Sequence, residues 1–221
     1  MILERGSWAQ VPRVAALVEA AQEAELPGTL KTELFASVVE LTTGICTSVP
    51  EAIEAIRGLR RFASDAAAGH GLAIAAAGSH PTARPEDQEI VLERRYTKFV
   101  SYAGVSARRQ GVNGLHVHVG MPSGDACIRT LEWILPWLPV VLALSANSPY
   151  LEGRETGLAS NRAEVLAQLP RSGAPPPFRS YADWEAFVAR FVALGFAPDY
   201  TAVWWDVRPH SRLGTLEVRM P

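Results

Sequence analysis

The chain has 221 residues, 48% of them hydrophobic and 20% charged, with a formal net charge of −2, which is enough apolar material to bury the core of one soluble globular domain. So even a charge balance argues against nucleic acid and anionic membranes as partners, because both require a basic face. With only two cysteines, Cys46 and Cys127, a disulfide framework is not expected; a reducing cytoplasm is the economical setting, and both thiols read as small buried filler.

Residues Met1 to Gly6 lack the charged and apolar regions of a signal peptide. Helical spacing from Trp8 to Glu25 predicts an opening helix, stopped by Leu26-Pro27-Gly28. Leu34 to Thr42 reads as a strand. If that strand is unbroken, Glu33 and Glu40 have opposite parity, and they can face one site only where a bulge or bend intervenes. Ser48 is the expected cap of a helix running to about Gly69, with Pro50 in the first turn and Glu51 near the positive end of the dipole.

Gly71 to Ala77 reads as a short buried strand, Thr82 to Glu89 as a loop, and Leu92 to Gln110 as a basic, aromatic helix. The longest apolar stretch, Trp133 to Ala146, is interrupted by Pro136 and Pro139 and is too short to cross a bilayer, so Asp125 to Ala146 is expected to form a kinked core helix. Gly173 to Pro177 reads as a spacer, Tyr181 to Leu194 as an amphipathic helix, and Ala202 to Arg208 and Leu213 to Arg219 as strands about a polar turn.

The run Gly114-Leu115-His116-Val117-His118-Val119-Gly120 puts two imidazoles on one face of a strand, with Leu115, Val117 and Val119 on the other. Paired imidazoles suit a metal ion or a polyphosphate; an edge strand whose histidines face water has the same pattern. Glu33, Glu40 and Glu217 also lie in or beside strands, where carboxylates are costly unless they meet water, a cation or a metal. With imidazole they suit magnesium or manganese, although each alone fits a solvated surface. Arg154, Arg162, Arg208 and Arg219 add guanidinium forks, which bind phosphate and carboxylate or form ordinary surface pairs. Glu217 and Arg219 share a strand face.

The order of several motifs goes further. Gly114 to Gly120 is followed by Leu142-Ala143-Leu144-Ser145-Ala146-Asn147-Ser148-Pro149, Arg154-Glu155-Thr156-Gly157 with Ser160 and Arg162, Trp205-Asp206-Val207-Arg208-Pro209 and Thr215-Leu216-Glu217-Val218-Arg219. With Lys31 to Phe35, Val39 to Gly44 and Ala77 to Pro81, the sequence resembles the YbdK-like carboxylate-amine ligases, the bacterial glutamate-cysteine ligase type-two family, from about Leu30 onward. Asn113 stands where that family often has Cys, and Asn161 where it often has an aromatic residue.

The resemblance implies the α+β class: an antiparallel curved sheet with helices packed on one face, in a glutamine-synthetase-like catalytic domain over residues 1–221. It implies that ATP phosphorylates the γ-carboxylate of glutamate and that an amine, such as that of cysteine, displaces the phosphate. Glu33, Glu40, His116 and Glu217 correspond to ligands of Mg2+ or Mn2+, Arg208 and Arg219 to phosphate-side catalytic groups, His118 to a nucleotide contact and Arg162 to a ligand of the substrate carboxylate. The family's acidic N-terminal strand is not found, Met1 to Arg5 is expected to lead directly into a helix, and the further C-terminal helices are also missing. The chain therefore reads as a central segment with little or no ligase activity alone, prone to self-association through an unpaired sheet edge. A non-catalytic binding or assembly module on the same scaffold is the alternative, and a metal-dependent hydrolase a third.

Overall fold

A computed structural model describes residues 1–220. In chain order the strands are Ile2–Glu4 (β1), Gly28–Thr32 (β2), Val39–Thr43 (β3), Leu72–Ile74 (β4), Val117–Gly120 (β5), Tyr150–Leu151 (β6), Arg154–Glu155 (β7), Val207–His210 (β8) and Thr215–Val218 (β9). The α-helices are Val14–Gln22 (α1), Val49–Ala68 (α2), Arg94–Ala103 (α3), Val105–Arg108 (α4), Gly124–Ile134 (α5), Leu138–Ser145 (α6), Asn161–Leu166 (α7) and Tyr181–Ala193 (α8). The chain forms two compact units, Met1–Gly111 with Tyr150–Glu155, and Val112–Pro149 with Thr156–Pro221. The class is α+β, with small antiparallel sheets of two or three strands.

In the first unit, Ile2, Leu17, Leu30, Leu59 and Ala63 form the core among β1, α1, β2 and α2. The N-terminus does not run straight into a helix: Ile2–Glu4 is a strand antiparallel to β4. The opening helix starts only at Val14, because Gln10 bridges back to Leu3, Trp8 takes a left-handed φ of 58° and Pro12 has no N–H to donate. His80 holds that corner. Its Nδ1 accepts from the N–H groups of Thr82 (3.2 Å) and Ala83 (2.9 Å), which leaves Nε2–H to donate to the Trp8 carbonyl at 3.1 Å.

The expected strand from Leu34 to Thr42 is instead the second half of a hairpin. β2 pairs with β3 with Lys31 opposite Glu40 and Thr32 opposite Val39, while residues 34–36 bond to the 89–91 segment through Ala36 N–H to Glu89 and Val91 N–H to Leu34. Leu34, Phe35, Ala36 and Ser37 are all buried, so this connection has no inside–outside alternation for a sheet register to use. The cap is as expected: Ser48 Oγ accepts from the Glu51 N–H, and the helix runs on to Ala68. The stretch from Leu92 to Gln110 divides into α3 and α4 at Gly104, where φ is 57°.

In the second unit the sheet order is β5-β9-β8, antiparallel throughout. Cys127 and Leu131 of α5 and Leu138 of α6 pack on Val207, Leu216 and Val218. The helices leave Val117 and Val119 of edge strand β5 about half exposed, at 44% and 47%. The proline kink is present, as a 3-10 turn at Leu135–Trp137 between α5 and α6. By length and composition the whole stretch Gly124–Ser145 could cross a membrane, contrary to the sequence expectation. Its buried residues Cys127, Leu131 and Leu138 lie on the apolar face of the sheet. A second cluster, Ile128, Phe178, Trp184, Val203 and Trp205, joins α8 to this unit. Residues 203–206 do not form a ladder strand; they bond to the 171–173 segment through Trp204 N–H to Arg171 and Asp206 N–H to Gly173.

Candidate functional site

The three-stranded sheet of the second unit has one apolar and one polar face, and strand register determines which residues share the polar one. His118 lies opposite Glu217, which lies opposite Arg208; in the next row Gly120, Thr215 and His210 are level. Side chains level across an antiparallel pair point to the same side, as do residues two apart. Thus His118, Glu217, Arg208, Thr215 and His210 converge. His116 and Arg219, one position beyond the ladder on their strands, continue the same rows.

Glu217 is the centre. Its residue is 3% exposed, and its two oxygens are held separately: Oε2 accepts from Arg208 Nε and Oε1 from Arg219 Nη1, both at 2.7 Å. His116 Nδ1 lies 3.6 Å and His118 Nε2 3.8 Å from the same Oε1. Arg208 is fixed further by donating Nη1 to the carbonyls of Thr201 (2.9 Å) and Val203 (2.6 Å). Burial disfavours the Glu217 charge, but Arg208 and Arg219 outweigh it and hold the carboxyl down to about 2.

The imidazoles are less enclosed. His116 keeps 40% of its side chain exposed; burial of its inner edge, then the Arg219 charge, lower its pKa and favour the neutral ring, an effect that solvent at the open edge screens. His118 Nδ1 meets Thr215 Oγ1 at 3.0 Å, and its ring stands edge-on to His210, with centroids 5.3 Å apart. His210 in turn meets Tyr200 edge-on at 5.5 Å. Burial lowers the His210 pKa, and its Nδ1 is buried without a hydrogen bond.

Arg162, expected to meet a substrate carboxylate, is 5% exposed and turned toward backbone. Its Nε donates to the Asn113 carbonyl at 2.5 Å, Nη1 to Met220 at 2.9 Å and Nη2 to Arg219 at 3.0 Å. Burial and the neighbouring Arg219 charge bring its pKa down to about 10, with Asp206 acting in the opposite direction. Asp206 is itself raised by burial against the pull of Arg162 and Arg219.

Glu33 and Glu40 belong to the first unit, Glu33 just past the end of β2 and Glu40 on β3. Lys31 is level with Glu40, so an extended chain returns Glu33 to the same side two residues later; the parity conflict of an unbroken strand disappears. Both charges reach the Tyr96 phenol, whose pKa is raised mainly by burial and further by Glu33 and Glu40. The Tyr96 hydroxyl donates to the Thr32 carbonyl at 2.7 Å. Glu33 Oε1 accepts from the Leu34 N–H at 2.7 Å, and Glu40 Oε1 from Thr42 Oγ1 at 3.2 Å.

The four expected metal ligands therefore lie two in each unit: Glu33 and Glu40 in the first, His116 and Glu217 in the second. An ion at the sheet face of the second unit would need an oxygen of Glu217, and a guanidinium holds each one. Among the described residues no group of three or more His, Cys, Asp and Glu side chains is set to hold a metal ion. Within the second unit taken by itself, His116 and Glu217 do not make up the ligand set of such an ion.

Sequence reasoning missed Asp206, His210 and Thr215, although the signal was present: 206, 208 and 210 alternate on one strand and 215, 217 and 219 on the next.

The chain spans about half to three-fifths of the length of the relatives it matches. A protein of Rubrobacter xylanophilus named "Putative glutamate--cysteine ligase 2-3" is 44% identical over 217 residues, 95% of this chain and 60% of that protein. A glutamate–cysteine ligase of Halobacterium salinarum is 43% identical over 196 residues, 89% of this chain and 54% of the relative. The family model described as Glutamate-cysteine ligase family 2 (GCS2) matches residues 4–221. With a match across nearly its full length, the buried Glu217 cluster included, the chain belongs to glutamate-cysteine ligase family 2.

Proposed function

We propose that the polar sheet face around Glu217 handles phosphate in an ATP-dependent carboxylate–amine ligation, with glutamate as the activated acid and cysteine or another amine as acceptor. The observation that carries this is charge in a largely buried cluster: Arg162, Arg208 and Arg219 against Glu217 and Asp206 leave one cation in excess. A partly buried positive excess favours an anion brought in from outside. In the proposed reaction a γ-carboxylate oxygen of glutamate attacks the γ-phosphorus of ATP and ADP leaves; the amine nitrogen then attacks the acyl carbon and phosphate departs. Glu217 holds Arg208 and Arg219 at fixed positions, where their charge stabilises the equatorial oxygens of the transferring phosphoryl group. His118, held by Thr215, is the nucleotide-side contact in this reading. No step is routed through a metal ion.

Phosphate release from ATP, measured with and without glutamate and with and without cysteine, together with mass detection of a γ-glutamyl amide, tests this. Glutamate-dependent release with amide formation is expected. Phosphate release that ignores glutamate and gives no amide would make the site a hydrolase and overturn the proposal. One observation favours a second reading, a non-catalytic binding module: both oxygens of Glu217 are already taken by guanidinium groups. ATP binding with no turnover would support it.

A further inference from the structure

We propose that Arg162 is a positioning residue, a clamp on the backbone that carries His116 and Arg219, and not a ligand of the substrate carboxylate. The inference rests on the ligase reading for its catalytic consequence alone. The β5–β9 ladder ends at Val117 opposite Val218. Beyond that point the strand neighbours no longer supply donors, and buried carbonyls left without one are costly. Arg162 takes over there: it bonds Asn113 on the β5 side and Arg219 and Met220 on the β9 side. One planar group thus ties together the chain three residues before His116 and the chain two and three residues after Glu217.

The clamp is itself anchored. Ser148, fully buried, accepts the Arg162 N–H on its Oγ at 3.1 Å and the Asn161 N–H on its carbonyl at 2.9 Å, and donates its own N–H to Ala159 at 3.1 Å. These bonds fix the start of α7, from whose first turn Arg162 projects. Each of the three guanidinium nitrogens already serves a carbonyl, so at most one N–H on each Nη is left, and the fork that grips a carboxylate is broken up. All acceptors are main-chain oxygens, so the side chain at position 113 does not enter the contact, and Asn serves there as well as Cys.

Arg162→Lys keeps the charge but cannot reach three carbonyls with one planar group, and Arg162→Gln removes the charge as well. Amide hydrogen exchange without any substrate reads the clamp directly. In Arg162→Lys, exchange across 117–120 and 215–218 is expected to be about tenfold faster, with α2 in the first unit unchanged. In turnover, kcat is expected to fall about tenfold with the glutamate KM within about twofold. Unchanged exchange with a glutamate KM raised about tenfold would overturn the proposal and return Arg162 to the substrate. If the wild-type chain neither binds nor turns over ATP, the ligase reading fails by itself, while the exchange comparison still decides the clamp. Should Arg162→Gln not fold, Arg162→Lys carries the test.

Discussion

At the residue scale Glu217 carries a guanidinium on each of its carboxylate oxygens. Replacing Glu217 by Gln removes the carboxylate from the buried Arg208 charge, and breaking such a pair from one side costs about 3–5 kcal/mol. Urea unfolding followed by tryptophan fluorescence should show a loss of that size, and a variant within about 1 kcal/mol of wild type would show the cage to be loose. Acid provides a second check. The folded Glu217 carboxyl is held at about 2 against an ordinary value of 4.5, so the unfolded chain binds more protons in that window. Its stabilisation is present in full above about 4.5 and is lost as pH falls toward 2, on the order of 3 kcal/mol in all. Glu217→Gln should lack this component, and an identical acid profile in wild type and variant would contradict the assignment. The two thiols should also separate: Cys127 is buried and its thiol is pushed up to about 11, while Cys46 is partly exposed. Brief alkylation of the folded protein should therefore label Cys46 and spare Cys127 until denaturant is added. Sequence expected both to be filler; it had no means of seeing that Cys46 falls in the open loop after β3.

Helix ends were easier to read at the element scale than strand pairing. Ser48, Pro50 and Glu51 announce their helix through local chemistry, which depends on no distant residue. Ser48→Ala should cost about 1 kcal/mol in thermal or urea unfolding, and no measurable loss would mean that the cap is not used. The kink at Leu135–Trp137 was likewise legible from Pro136 and Pro139. The first half of the expected Leu34 to Thr42 strand, Leu34 to Val38, was not, because a connection buried at Leu34 to Ser37 has no period-two pattern, and its partners lie at 89–91 in the sequence. β1 was invisible for the same reason: three residues, Ile2–Glu4, become a strand only through β4, about seventy positions away. The polar face of the β5-β9-β8 sheet stood between these extremes. The alternations 116/118 and 217/219 gave its faces, but only the register, His118 to Glu217 to Arg208, brought them to one point.

For the whole molecule, the family match and the two compact units describe different things. The match over residues 4–221 says which family the chain belongs to, and the two cores say how its parts are built. Within the second unit, apolar residues of α5 and α6 cover the β8 and β9 part of one side of a three-stranded sheet, and the other side gathers three arginines, two carboxylates and three histidines. Cationic side chains around a buried carboxylate are costly to assemble, and the backbone bonds of Arg162 and Arg208 help meet that cost. The same arrangement has a consequence for ligands: a site that keeps a net positive excess under cover should bind a polyanion, and should do so through Arg208 and Arg219. The most direct test is calorimetric titration of the intact chain with ATP and magnesium, in the presence and absence of glutamate. ATP binding is expected, strengthened by glutamate and weakened at least about tenfold in an Arg208→Gln variant shown by circular dichroism to be folded. ATP affinity that is the same in wild type and in that folded variant would contradict this reading.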